Sequence, residues 1–294
     1  MNDQKTLREK AGGLGWAIGL AGLLCVIKTA AAFLCASQSL FASALDSFMD
    51  TGISTVNYLS VRKAAKPPDA DHAYGHGKIE SLAAYSQGLV ILFSAVLLLA
   101  KTVQRAFSPA TEVRSGAAIA VIIASMVING VITLILERAQ RRTHSLVLKA
   151  EQAHYATDLS TYLMLLLALG LVKLTGWIFW DLAGAVLAAG YIISLAFKLM
   201  AQASHELVDT ALPESALDEL DRLIRNHDPK ILSYHEMRTR KVGERMFLDF
   251  HVVIRKDQSF QEAHELTESL IEKLKAHFPK ADITVHEDPE DADR

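Results

Sequence analysis

Two carboxylates four residues apart, Asp46 and Asp50, lie inside an apolar stretch, ALDSFMDTGIST. A second polar pair at the same spacing, His154 and Asp158, opens another apolar stretch, EQAHYATDLST. Ionisable groups at membrane depth cost roughly 2.5–3.5 kcal/mol each on insertion scales, so a chain that keeps four of them in apolar segments uses them. A spacing of four puts both members of a pair on one helix face. If the two faces meet, three carboxylates and one imidazole converge. That donor set suits a tetrahedral divalent cation, with zinc the first expectation.

The elements that must position these residues follow from composition. Of 294 residues, 51% are hydrophobic and 21% charged, and the mean hydropathy is +0.21. Those values fit a chain divided between an apolar part and a polar part. A net charge of −3 gives no case for nucleic-acid binding. Cys25 and Cys35 share one apolar run without CxxC spacing, so neither a disulfide framework nor a thiolate metal site is read. The first apolar run is too long for a cleavable signal peptide.

Six stretches approach the roughly 20 apolar residues needed to cross a bilayer: 13–36, 40–62, 81–104, 115–137, 154–173 and 178–200. The second and fifth are weakest because they carry the polar pairs. Basic residues fix an orientation. Lys5, Arg8, Lys10, Arg62, Lys63, Lys66, Lys78, Arg138, Arg141, Arg142 and Lys149 fall on one side, against Lys101, Arg105, Arg114 and Lys173 on the other. Both termini are therefore expected in the cytoplasm, in agreement with an even number of spans. Lys28, near the middle of the first span, is expected to face the bundle interior without touching metal.

After Asp209 and Pro213 the composition becomes that of a soluble domain. ESALDELDRLIRNH reads as an amphipathic helix, ILSYHEMRTRK and ERMFLDFHVVIRK as strands turning at Gly243, residues 260–277 as a helix, and ADITVHED as a strand. Met246, Leu248, Phe250, Val252 and Ile254 alternate with Asp249 and His251, so one sheet face is apolar and the other polar. The expectation is a membrane all-α six-helix bundle over 1–208, followed by an α+β domain of order α-β-β-α-β over 209–294.

Two further clusters have ligand chemistry. Asp69, His72 and His76 occupy the loop DADHAYGHGKIE, which can fold around one cation. In the soluble domain, His235, His251, His286 and Asp288 fall on successive strands, and the helix adds His264; such a set could be shared between two copies of the domain.

Taken together, DxxxD in span two, HxxxD in span five, the DxxHxxxH loop running into GHGK and the α-β-β-α-β tail resemble the cation diffusion facilitator family, specifically its bacterial proton-coupled zinc transporters. The resemblance covers essentially the whole chain. It implies a multi-pass protein of the inner (cytoplasmic) membrane that works as a homodimer with a ferredoxin-like cytoplasmic domain. It assigns Asp46, Asp50, His154 and Asp158 to a transport site and Asp69, His72 and His76 to a loop site. His235, His251, His264, His286 and Asp288 become a two-metal site bridging the cytoplasmic domains, and Lys78 pairs with Asp209 in a charge interlock. The implied activity is export of Zn²⁺ in exchange for protons by alternating access, with Zn²⁺ both substrate and regulatory ligand and with Cd²⁺, Fe²⁺, Co²⁺ or Ni²⁺ as other candidate cargoes. Protons and metal compete for the same ligands, which supplies the coupling.

Three rival classes fit the residues less well. A metal channel would hold its ion too long at a four-ligand site. An intramembrane metal hydrolase would need an added general base, and no HExxH pattern is present. A membrane-anchored metal sensor would leave the intramembrane pairs without a purpose.

Overall fold

Apolar runs too long for a soluble core become long helices, and the computed structural model has six of them before the first strand. It describes residues 2–35, 38–106, 116–177 and 179–290. The helices are α1 (Asn2–Leu34), α2 (Gln38–Ala64), α3 (Lys78–Ala106), α4 (Gly116–Thr143), α5 (Leu146–Thr175) and α6 (Phe179–Leu207). All except α2 are long and apolar enough to cross a membrane, and α5 is the least apolar of those five. The polar pairs thus weaken the expected two helices. Arg114, used in the charge balance, lies outside the described residues.

The chain divides into two units, Met1–Ser204 and His205–Arg294. In the first, one apolar cluster joins Leu14, Ala17 and Ala21 of α1, Val61 of α2, Ile132 and Leu136 of α4, and Val147, Leu148 and Tyr155 of α5. A second joins Ala84, Ile91 and Ala95 of α3 to Ala150 and Ala153 of α5 and to Ile192, Ala196 and Leu199 of α6. Small residues dominate the second cluster and let helix backbones approach closely. Gly88 shows how closely: a Cβ built there would lie 2.5 Å from Met200 Cγ.

Helix α5 begins earlier than the apolar pattern suggested. Ser145 caps it, its hydroxyl accepting from the Leu148 amide at 3.4 Å. Leu146, Val147 and Leu148 are all buried, so packing rather than hydropathy sets the start. His154 is therefore not the opening of the helix but two turns inside it. The link from α4 is short: His144 adopts φ 50°, and its amide bonds Gln140 O at 2.7 Å.

The second unit contains α7 (Glu214–Arg225), β1 (Ile231–Val242), β2 (Arg245–Ile254), α8 (Phe260–His277) and β3 (Ala281–Pro289). Helix α7 starts directly after Pro213, and α8 opens with a reciprocal capping box between Ser259 and Glu262. The sheet order is β1-β2-β3, with β2 central. Strands β1 and β2 pair antiparallel through a turn at Gly243, φ 61°; β2 and β3 pair parallel across the α8 crossover. Leu248, Phe250, Val252 and Ile254 of β2 form one core with Leu220 and Ile224 of α7 and Leu266, Leu270 and Leu274 of α8. Both helices cover that face. The small α/β domain expected from the sequence is thus present.

Leu270 is fully buried in this core. Leu270→Ala is expected to destabilise isolated residues 205–294 by about 2–5 kcal/mol in a denaturant titration. A change below about 1 kcal/mol would show that the helical layer does not hold the sheet in the manner described.

Candidate metal centres

The first centre lies where α2 meets α5. Asp50, on α2, lies 3.0 Å from His154 of α5, Oδ1 to Nε2, where the carboxylate can accept from the ring. Asp158, one turn further along α5, completes a group of three whose ligand atoms all lie within 4.8 Å of one another. The His154 side chain is 8% exposed and that of Asp50 22%, so the group is largely buried. Asp46 shares the α2 face but is exposed and stands outside the group. Its backbone is one turn away, about 6 Å along the axis. Three of the four expected ligands are together; the fourth flanks them.

Lys28 is buried in α1 and donates to Ser47 Oγ at 2.8 Å. It faces the interior, as its position in the span suggested, and puts an amine beside the acidic face of α2.

A residue that the sequence reading passed over lies one turn before His154. Glu151 is completely buried, with Ser54 Oγ donating to one carboxylate oxygen and Asn57 Nδ2 to the other. Tyr155 and Ser54 hydroxyls are 3.0 Å apart, and Asn57 also donates to Gln87 Oε1 at 3.2 Å. The signal was in the chain: once α5 starts at Leu146, an acid three residues before His154 shares its face.

The second centre is the loop between α2 and α3. Asp69 Oδ1 accepts from the His72 amide at 2.8 Å and lies 3.1 Å from His72 Nδ1. Asp69 Oδ2 is 3.3 Å from His76 Nε2. Gly75, at φ 84°, turns the chain so that both imidazoles face the same carboxylate, with ring centroids 4.5 Å apart. The hydrogen bond from the His72 amide, more than any other influence, holds the Asp69 carboxyl below its ordinary range. His76 is buried, and among the described residues its Nδ1 has no hydrogen-bond partner.

The third centre is on the sheet face away from α7 and α8. Register places His235 opposite His251, and His251 opposite His286. Asp288 gathers them: Oδ2 is 2.8 Å from His251 Nδ1 and 3.2 Å from His235 Nε2, while Oδ1 is 3.5 Å from His286 Nε2. The His235 contact lacks hydrogen-bond geometry, which leaves that buried nitrogen unsatisfied. A bulge at Glu236, φ 51°, follows His235 and re-aims the strand beside the cluster. The bond from His251, then the nearby imidazole charges, hold the Asp288 carboxyl below its usual range. His264 does not join this group. It sits on α8, mostly exposed, with Nδ1 4.0 Å from Glu287.

Asp209, at φ 57°, accepts from Arg240 at 3.2 Å within the second unit. Lys78 is the first residue of α3 in the first.

Membrane-length helices with an intramembrane acid–imidazole group, joined to a small α/β domain carrying a histidine cluster, define a multi-pass metal transporter. The cation efflux transmembrane domain model matches residues 16–208, and the model of the cation efflux protein cytoplasmic domain matches 212–290. The chain belongs to the cation efflux, or cation diffusion facilitator, family: it is a cation-efflux transporter and not an enzyme. It is 36% identical over 272 residues to the cation-efflux pump FieF of Shewanella oneidensis, covering 92% of this chain and 91% of that one. It is 32% identical over 276 residues to the FieF pump of Escherichia coli (strain K12 / DH10B), covering 93% and 90%. A solved CzrB structure aligns with 27% of this chain and 99% of its own at 33% identity and TM-score 0.27.

The sheet cluster generates a direct test on residues 205–294. Divalent metal titrated calorimetrically is expected to bind near neutral pH. His251→Ala should weaken that binding by more than the roughly 10–100-fold typical of an outer-shell partner. Because the Asp288 carboxyl is depressed, it stays ionised throughout the neutral range. Its share of the interaction is present above the ordinary carboxylate range and is lost only in strong acid. Loss of metal between about pH 7 and 5 would then report imidazole protonation. Unchanged binding by the variant would remove His251 from the ligand set.

Proposed function

We propose that the chain exports Zn²⁺ from the cytoplasm in exchange for protons, as a homodimer in the inner membrane. The observation that carries this reading is the grouping of Asp50, His154 and Asp158 within 4.8 Å inside a helical bundle. Two carboxylates and an imidazole favour a borderline cation over a hard one. Asp46, one turn along α2, is the fourth ligand, recruited when the cation is bound.

All these groups bind metal only when unprotonated. At cytoplasmic pH the deprotonated site takes the cation. On the outer face, where the proton-motive force raises proton activity, the ligands take protons and the metal leaves. His154 is the coupling group, since imidazole is the side chain whose ordinary titration falls nearest neutrality. Returning protonated also avoids carrying uncompensated carboxylates through the bilayer.

The loop and sheet clusters are read as cytoplasmic metal sites. Filling the sheet cluster neutralises Asp288 and draws two copies of the domain together, biasing the transporter's conformational equilibrium. His264, apart from the cluster within one chain, completes the site from a second copy. Lys78 and Asp209 form an interlock between subunits, in competition with the Arg240 pair. The relatives named as cation-efflux pumps and the matched cytoplasmic domain support the direction of transport.

Zinc flux in proteoliposomes with an imposed pH gradient tests the reading. Flux should follow the gradient, and Asp50→Ala should abolish it while the protein stays folded and dimeric. Wild-type rates from that variant would refute the site. His154→Asp is expected to lose the preference for Zn²⁺ over Cd²⁺ and Mn²⁺ and to move the pH profile of transport downward. If metal ranking and pH profile both stayed wild-type, His154 would be neither selectivity ligand nor coupling group.

A further inference from the structure

Exposure around the intramembrane centre is lopsided. Along α2, Asp46 is exposed and Asp50 partly so, whereas Ser54 and Asn57 are buried. Along α5, Asp158 is partly exposed, His154 nearly buried and Glu151 wholly buried. The Asp46 end of the site is thus the more exposed end, and the Glu151 end is packed shut. Lys149, near the start of α5, bonds Gln202, near the end of α6, and the segment matched by the cytoplasmic domain begins at residue 212, soon after α6 ends at Leu207. On the proposed orientation, the packed end is therefore the cytoplasmic one.

The seal is a specific hydrogen-bonded arrangement. Ser54 has one hydroxyl proton, and it goes to Glu151, so the Tyr155 hydroxyl donates to Ser54 in turn. Asn57 has two amide protons, one for Glu151 and one for Gln87. Glu151 is the common acceptor: without it, Asn57 loses its partner on α5 and Ser54 keeps only the Tyr155 hydroxyl there. Among the described residues, Gln87 Nε2 has no hydrogen-bond partner, so the arrangement is incomplete on its α3 side.

We propose that Glu151 is a positioning residue of the transport cycle, the anchor of an inner gate. Its bonds to Ser54 and Asn57 hold α2 against α5 and close the cytoplasmic path to Asp50, His154 and Asp158. Opening exchanges these bonds for bonds to water, so Glu151 sets how much of the population can load metal from inside. The proposal rests on the transport reading for its purpose but not for its geometry.

The full-length protein in oriented vesicles supplies the test. In a Cys25→Ser, Cys35→Ser background, Asp50→Cys places one thiol at the site. A membrane-impermeant maleimide is expected to label it from the outer face only. Adding Glu151→Ala should admit label from the cytoplasmic face as well, and Asn57→Ala should do the same. Glu151→Gln keeps an acceptor for Ser54 but turns an amide donor toward Asn57, so it should be intermediate. That variant carries the test if the alanine form does not fold.

A second readout uses the native ligands. When only a minor fraction is open inward, the apparent affinity for cytoplasmic metal is reduced by that fraction. Loosening the gate should therefore lower the KM for zinc on that face by about tenfold, the worth of a lost charged hydrogen bond. A structural defect would raise KM or lower the maximal rate instead. In a double variant, Asn57→Ala should add little to Glu151→Ala, because both break the same contact. Outer-face-only labelling in every Glu151 and Asn57 variant would overturn the gate, whatever the flux. Two-sided labelling without zinc flux in the wild type would support the gate and remove the transport reading.

Discussion

Charge that cannot reach water must find a partner inside the protein, and the membrane unit is organised around that requirement. Asp50 meets His154, Glu151 meets Ser54 and Asn57, Lys28 meets Ser47, and Lys10 of α1 meets Glu80 of α3 at 2.9 Å. Each pairing joins two helices, so meeting the electrostatic need of one helix fixes its place against another. Apolar contact alone could not do this, because lipid competes for the same surfaces on equal terms. The polar pairs therefore decide which helices are neighbours, and small residues such as those of α3 and α6 decide how near they come.

Most of this architecture was legible in the sequence. The DxxxD and HxxxD pairs marked the helix faces on which Asp50, His154 and Asp158 meet, alternation along Met246–Ile254 marked the buried face of β2, and Pro213 and Gly243 a helix start and a turn. What escaped detection has a common cause. Hydropathy rises near His154, yet Ser145 and three buried apolar residues begin α5 about two turns earlier. Glu151 lies in that added length, where it is a buried acceptor. Asp46 illustrates the reverse problem: spacing fixes a helix face but not the distance a side chain must travel along it.

The sheet cluster shows what register adds to sequence. Histidines on three separate strands become a group only because pairing aligns His235, His251 and His286 in one row. Shifting any strand by one residue would send its imidazole to the opposite face. His264 shares their chemistry but is borne by α8, on the layer behind the sheet, and stands apart from that row within one chain.

The connection between α4 and α5 carries a mechanical consequence. Only His144 and Ser145 separate the two helices, and His144 is held in a left-handed conformation with its amide tied back to Gln140. A link so short has no slack. Any tilt of α5 that rearranges its ligands must drag the adjoining end of α4 with it, so the two helices behave as one lever hinged at a single residue. Substituting glycine at that hinge, or lengthening it, would uncouple the arms while every ligand stayed in place.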